Sequence, residues 1–354
     1  MTNRPTPGMI VLFGSGEIAP SSQPIYEHVL SAVESRDGEV RVAILETPAG
    51  FQLNSAEVAG AIAEYLEHRL QNHKPRIEVV PARKRGTSLS PDSPEILKPL
   101  AWANVIFTGP GSPTYAARQL KDSLAWDLIR AQHRRGAALI LASAATIAIS
   151  RQAIPVYEIY KVGEDVHWQP GLDLFGSLGL SAVFWPHWNN NEGGEKHDTS
   201  RCFMGKQRYD ELVALLPAEQ MIVGIDEHTA LIVDPSDPCC CRILGRGSVS
   251  LVQGDSTRVF EAVSEFPLDE LGEIRFPPPA EGIRAEALGM IGASEAERLA
   301  AQTPSEKVMA LVSERKEARE NRDWEASDRL RDEILELGWE VRDTPDGQQL
   351  ALSS

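Results

Sequence analysis

The chain has 354 residues, enough for roughly two domains with a sizeable core. Hydrophobic residues make up 42% and charged residues 24%, the balance of a globular chain rather than a disordered or fibrous one. A formal net charge of −16 excludes broad, non-specific nucleic-acid binding, which needs cationic surface to displace counterions, while leaving room for a local basic patch.

No apolar run reaches transmembrane length, so no membrane partner is expected. The N-terminal MTNRPTPG lacks the apolar region of a signal peptide, which makes the cytoplasm the expected compartment. Four cysteines are present: Cys202 and the consecutive Cys239, Cys240 and Cys241. Neighbours in a strand point to opposite faces, so the trio cannot converge on one zinc, and no CxxC pair exists. They read as small strand fillers, with no disulfide framework, metal or cofactor expected.

In chain order, Met9 to Phe13 reads as a first strand running into Gly14-Ser15-Gly16-Glu17-Ile18-Ala19-Pro20. That ending matches a GxGxxA dinucleotide fingerprint. Pro20 and Pro24 delay the helix, however, so its N-terminus does not fall on the glycines, and nucleotide binding is disfavoured. Val40 to Leu45 is a second strand, and residues 54–71 carry Val58, Ile62, Leu66 and Leu70 at helical spacing. Ile77 to Val80 makes a third strand, and a short helix starts at Ser93. Val105 to Thr108 makes a fourth strand, running into Gly109-Pro110-Gly111-Ser112-Pro113-Thr114. Helices are expected over Tyr115 to Leu120 and Ala125 to His133.

The stretch around which the chain is organised follows: Ala138 to Ala142 as a buried strand, Ser143, then Ala144-Ala145 and an apolar run from Ile147 suited to a helix. A strand turning sharply into a helix with serine at the apex is the layout of a nucleophile elbow. Small neighbours let a substrate carbonyl approach, and free N–H groups at the helix start can stabilise an oxyanion. The competing reading is a plain joint whose serine caps the helix.

Beyond the elbow, Val183 to Trp185 is a strand leading to Pro186-His187-Trp188, and Asn189 to Arg201 is a polar loop with the character of a lid. Gln207 to Leu216 reads as a helix, and Met221 to Val233 as two strands joined by a polar turn. Cys240 to Leu244 and Ser248 to Val252 continue a β-rich region. The whole predicts an α/β fold, a mostly parallel sheet with helices on both faces, over residues 1–270. Residues 271–302, with Pro277-Pro278-Pro279, read as a linker, and 303–354 as a small helical hairpin module. Thr303-Pro304-Ser305-Glu306 is a helix start, with Thr303 as cap, and Gly338 stops a second helix that begins near Trp324. Asp343 to Gly347 reads as a turn between two short extended pieces.

Serine hydrolysis needs a nucleophile, a histidine base, a carboxylate to orient it, and oxyanion donors. Ser143 and His187 supply the first two, and Gly109 and Gly111 can present N–H groups. Glu158, Glu164 and Asp165 all lie between nucleophile and base. Glu164, in a polar turn shortly before the strand carrying His187, is the favoured member.

Four segments resemble the serine peptidase family of dipeptidase E and cyanophycinase, whose fold is that of class I glutamine amidotransferases. They are Ile106 to Leu120 (IFTGPGSPTYAARQL), Leu141-Ala142-Ser143-Ala144-Ala145, Trp185-Pro186-His187-Trp188, and Val223-Gly224-Ile225-Asp226-Glu227-His228-Thr229-Ala230-Leu231. The resemblance implies Ser143 as nucleophile, His187 as base, and Gly111 and Ala144 as oxyanion donors, acting on a small acidic or modified peptide. The chain departs from the family at Ala145, where glycine is usual, and at Pro110, which removes one N–H donor. Serine rather than cysteine at the nucleophile position disfavours glutamine amidotransfer.

Residues 304–350 are similar to the extreme C-terminal module of cysteinyl-tRNA synthetases, through Glu314 to Arg319, Asp323-Trp324, Ala326 to Ile334, Gly338-Trp339 and Asp343 to Gly347. The HIGH and KMSKS signatures and the zinc-binding cysteines of those enzymes are absent. Acidic side chains outnumber basic ones here, so docking on a protein partner or a second copy of the chain competes with tRNA contact. Two functions therefore stand: a serine peptidase using Ser143, His187 and Glu164, or a non-catalytic binding protein with the C-terminal module as an RNA or partner adaptor.

Overall fold

The computed structural model describes residues 6–236, 241–344 and 347–352. They form two compact units, Met1–Ile291 and Gly292–Ser354. In the first unit the early elements alternate as expected. They are β1 (Ile10–Phe13), α1 (Gln23–Asp37), β2 (Arg41–Leu45), α2 (Ser55–Arg69), β3 (Arg76–Val80), α3 (Pro94–Trp102), β4 (Val105–Thr108), α4 (Pro113–Leu120), α5 (Leu124–Arg134), β5 (Ala138–Ala142) and α6 (Ala144–Ala148). A small pair, β6 (Gln152–Ala153) and β7 (Gln169–Pro170), precedes β8 (Ala182–Trp185) and α7 (Gly205–Ala214). Then come β9 (Met221–Ile225), β10 (Thr229–Val233), β11 (Cys241–Gly245), β12 (Ser248–Gln253), β13 (Ser256–Glu261) and β14 (Glu265–Phe266).

The large sheet has the order β14-β11-β10-β1-β5-β4-β2-β3. Its five strands from β1 to β3 run parallel, and the β10, β11 and β14 edge is antiparallel. Strands β1, β2, β4 and β5 are buried along their whole length, which explains their near-continuous apolar sequence: both faces are covered. Alternate residues divide between two cores. Val11, Phe13, Val42, Ile44, Phe107 and Ile140 pack against α1 and α2. Ile10, Leu12, Ala43, Leu45, Ile106 and Leu139 face α3 and α5 instead. This is the α/β architecture expected from the alternation.

Met221 to Val233 does form two strands with a polar turn between them, but they belong to different sheets. A second sheet has the order β13-β12-β9-β8, with β8 and β9 parallel. The chain leaves it at Ile225 and enters the large sheet at Thr229, so the turn Asp226-Glu227-His228 bridges the two.

The composition shift after residue 270 reads as a linker, yet part of that stretch is packed. Ile283, Ala287 and Ile291 are buried with the sheet unit's core, and Arg284 pairs with Asp127 at 2.5 Å. The division between units falls after Ile291, inside the helix α8 (Ala285–Ala301).

The second unit holds the expected hairpin, α9 (Glu306–Glu320) and α10 (Trp324–Glu336), followed by β15 (Trp339–Thr344) paired with β16 (Gly347–Leu352). The cap of α9 is Ser305, whose side chain accepts from the Val308 N–H, and not Thr303. Gly338, at φ 83°, ends the helical pair as expected. Val308, Leu311, Leu330, Ile334, Trp339 and Val341 form its core. Arg315 is buried within it, donating to both Asp343 carboxylate oxygens at 3.0 Å and to Gln348 at 2.7 Å. Pro345 and Asp346 of the expected turn lie outside the described residues, as do Cys239 and Cys240. Cys241 is buried in β11, and Cys202 is buried near the site as a free thiol. Among the described residues, no helix is long and apolar enough to cross a membrane. Nor does any group of three or more His, Cys, Asp or Glu side chains form a metal-binding cluster there.

Candidate active site

The parallel strands β1, β4 and β5 all end on one side of the sheet, where ligands of such sheets bind. Strand β5 delivers Ser143, which sits at φ 51° and ψ −105° before turning directly into α6. A non-glycine residue in this region costs about 1–3 kcal/mol and persists only where its surroundings hold it. They do so here: the Thr146 hydroxyl donates within reach of both the Phe13 and Leu141 carbonyls, tying the elbow to β1 and β5.

Ser143 stands at the cap position of α6, but its side chain makes no capping bond. Its Oγ instead lies 2.9 Å from His187 Nε2.

His187 follows β8 and, like Ser143, has a positive φ, 52°. Its backbone is held on both sides, with its N–H donating to the Gly14 carbonyl and its carbonyl accepting from Cys202 N–H. Behind it, Arg201, Cys202 and Phe203 make three successive left-handed residues, at φ 57°, 58° and 66°. The Arg201 guanidinium stacks over the Trp188 ring at 3.7 Å and donates to the Trp188 carbonyl, which holds that turn in place.

The carboxylate at the imidazole is Glu227. Its Oε1 lies 2.8 Å from His187 Nδ1 and also accepts from Asn190 Nδ2 at 3.0 Å. Asn189 Oδ1 accepts from the Glu227 backbone N–H, so the polar loop fixes both main chain and side chain of this residue. Asn190 and Thr199 are buried, which makes that segment a packed support at these points rather than the free lid its composition suggests.

Glu164, favoured from sequence, and its alternatives Glu158 and Asp165 lie elsewhere. Glu164 faces His167 at 3.8 Å, Asp165 offers its backbone carbonyl to the same ring, and Glu158 accepts from the Thr114 hydroxyl at 3.2 Å. None of them hydrogen-bonds His187 among the described residues. The reason is topological. Strands β8 and β9 pair in parallel with Trp185 opposite Gly224, so residues just past their ends, His187 and Glu227, arrive side by side. Glu227 therefore lies beyond the segment between Ser143 and His187, on the far side of β9. The signal lay in the stretch Val223 to Leu231, which contains Glu227 and carried part of the family likeness.

Hydrogen bonds from His187 and Asn190, together with the charges of His187 and His228, hold the Glu227 carboxyl below the usual carboxylate range; partial burial opposes them and loses. A carboxyl depressed in the folded state adds stability above its ordinary range, and that contribution vanishes as pH falls through its folded value. The stability advantage of the native chain over Glu227→Gln should therefore be constant above about pH 5 and shrink only in stronger acid. Urea melts of both proteins across a pH series measure this. An advantage that grew with acidification would contradict an ionised Glu227.

Gly111 and Ala144 line the same cavity of about 410 Å³ as Ser143 and His187. Among the described residues, neither of their backbone N–H groups donates to a carbonyl. Glycine is required at 111: a Cβ there would lie 2.0 Å from the Pro48 carbonyl oxygen, at φ 149°. At Gly109, φ 117°, a Cβ would meet the Ala142 carbonyl oxygen at 2.2 Å, so this residue packs the loop onto β5 and does not line the cavity. The glycine-containing first loop, Gly14 to Pro20, runs into a short 3-10 turn at Pro20–Ser22 before the first long helix. Ser22 and Tyr26 hydroxyls donate to the Glu17 carbonyl, and α1 starts only at Gln23.

Comparison with known proteins gives two separate likenesses. A crystal structure of a peptidase from an acI-B1 Actinobacterium superposes with a TM-score of 0.59 at 20% identity, covering 74% of this chain and 98% of that one. Residues 304–350 match the family model of the cysteinyl-tRNA ligase anticodon binding domain. The cysteine–tRNA ligase of Oenococcus oeni is 38% identical over 81 residues, 22% of this chain and 17% of the ligase. That of Maridesulfovibrio salexigens is 58% identical over 41 residues, 12% of this chain and 8% of the ligase. The chain thus spans less than a fifth of either ligase's length. It joins a sheet-bearing unit with the fold of that peptidase to a C-terminal segment similar to the anticodon binding domain of cysteinyl-tRNA ligases.

Proposed function

We propose that the chain is a cytoplasmic serine peptidase acting on a small peptide. The observation that carries this is the linear hydrogen-bonded series from Ser143 Oγ through the His187 ring to Glu227, at 2.9 and 2.8 Å. In this reading Ser143 Oγ attacks the scissile carbonyl while His187 Nε2 takes its proton and later returns it to the leaving amine. Glu227 holds the ring in the tautomer that leaves Nε2 free to accept, and stabilises the imidazolium that forms. The N–H groups of Gly111 and Ala144 receive the charge that develops on the carbonyl oxygen. The acyl-enzyme is then hydrolysed by water activated at the same imidazole. Treatment with a fluorophosphonate, followed by digestion and mass spectrometry, should find the adduct on the Ser143 peptide. An unmodified Ser143 after prolonged exposure, in a protein that remains folded, would refute the assignment.

A second reading concerns the C-terminal unit, and the match of residues 304–350 favours it. We infer that this unit lets the chain bind tRNA. Strong net negative charge leaves little non-specific attraction, so binding should be selective, and whatever Lys and Arg contacts it makes to phosphate should weaken with salt. Gel-shift titration of the full chain with a cysteine tRNA transcript and an unrelated tRNA tests it. Equal, salt-insensitive or undetectable binding of both would favour a protein partner or a second copy of the chain.

A further inference from the structure

The cavity beside Ser143 carries information on the substrate that the reaction chemistry does not use. Its walls come from Pro113, Ile147, Val156, Tyr157, Tyr160 and Phe203. Tyr160 and Phe203 pack ring to ring with centroids 5.1 Å apart, and Phe203 is held inward by the left-handed turn behind His187. Cys202, also lining the cavity, is buried, and burial pushes its thiol up to about 12, so it contributes a neutral surface. Two charged side chains beyond the catalytic histidine border the space, Lys161 and Glu192. Both are exposed, opposite in sign, and Lys161 lies over the outer Tyr160 ring at 5.1 Å.

An acidic substrate side chain entering this cavity would leave water without meeting a buried cation. Removing a carboxylate from water is costly unless it is paired and hydrogen-bonded, and an exposed lysine screened by solvent supplies little of that. An apolar or aromatic side chain meets the opposite conditions: a partly enclosed space with aromatic edges and faces to pack on. The volume of about 410 Å³ accommodates a side chain of phenylalanine or leucine size with the adjoining backbone.

We propose that this cavity selects a neutral, apolar or aromatic side chain on the substrate residue bound next to Ser143 and discriminates against aspartate and glutamate, in contrast to the acidic peptide expected from the sequence. The inference rests on the peptidase reading for its placement beside the scissile bond, while the preference itself belongs to the cavity.

Aminoalkyl diphenyl phosphonates bearing phenylalanine, leucine or aspartate side chains provide one arm of the test, read as rates of covalent labelling of the full chain. The phenylalanine and leucine reagents should react roughly tenfold or more faster than the aspartate reagent, the scale set by burying one apolar side chain. Tyr157→Arg, at a half-exposed wall position, should narrow or reverse that ratio. An aspartate reagent that reacts as fast as the phenylalanine reagent in the native chain would overturn the proposal.

Ligand-observed NMR with N-acetylphenylalaninamide and N-acetylaspartamide forms an arm that needs no chemistry at Ser143. Selective binding of the phenylalanine amide, sensitive to Tyr157→Arg, supports the cavity's preference even if no phosphonate reacts, in which case the peptidase reading alone fails. Fluorophosphonate labelling at Ser143 without selective binding or selective phosphonate rates leaves the nucleophile standing and overturns this proposal.

Discussion

Ser143→Ala should reduce fluorophosphonate labelling to background, a loss on the order of a millionfold where a serine hydrolase loses its nucleophile. The fold should hardly notice. Alanine retains the backbone at φ 51°, so the strain of the elbow is the same in both proteins. The lost contact is one hydrogen bond to His187, worth about 1 kcal/mol net, and the imidazole keeps Glu227 as its second partner. The elbow's ties run through Thr146 rather than through the serine side chain. A melting temperature close to that of the native chain, together with absent labelling, is the expected pair of results. Labelling that persists in the variant would move the nucleophile elsewhere.

Much of the scaffold was legible because it obeys local rules. Four strands of the large sheet are buried on both faces, and their apolar runs, bounded by glycine and proline, announce this directly. The elbow at Ser143 was legible for a related reason: a sharp turn at the end of such a strand needs small residues around it, and they stand next to it in sequence. His187 was found as the histidine at the end of a later strand. Glu227 was not found, because its place depends on which strands pair. That β9 leaves one sheet and β10 enters another is a tertiary fact without a local sequence signature. The packing of Ile283, Ala287 and Ile291 was hidden similarly, since proline and alanine around them read as linker and the core that gives those apolar residues a partner is built from distant parts of the chain. Ser305 rather than Thr303 as the cap of α9 is a difference of two residues, within the range where neighbouring hydroxyls compete for one helix start.

Glu227 carries the second large expected effect, and two substitutions separate its two contributions. Its Oε1 accepts from both His187 Nδ1 and Asn190 Nδ2. An amide oxygen at that position can accept both bonds as well, so Glu227→Gln preserves the ring's tautomer and orientation and removes only the charge. Hydrogen bonds to a charged partner exceed neutral ones by about 1–2 kcal/mol, which predicts a fall of roughly five- to thirtyfold in labelling rate. Glu227→Ala removes orientation too. The ring is then free to turn or to present the wrong nitrogen, and a loss on the order of ten-thousandfold follows, as when other serine hydrolases lose this member. Glu164→Gln, Glu158→Gln and Asp165→Asn should each leave the rate near that of the native chain, because among the described residues the hydrogen-bonded carboxylate at the His187 ring is Glu227 and not one of these three. Rates are compared with a single fluorophosphonate, and melting temperatures verify that each variant is folded. If Glu164→Gln matched Glu227→Ala in its loss, the acting carboxylate would be the one favoured by sequence position. The turn between β9 and β10 would then be a support for the loop of Asn189 and Asn190 and nothing more.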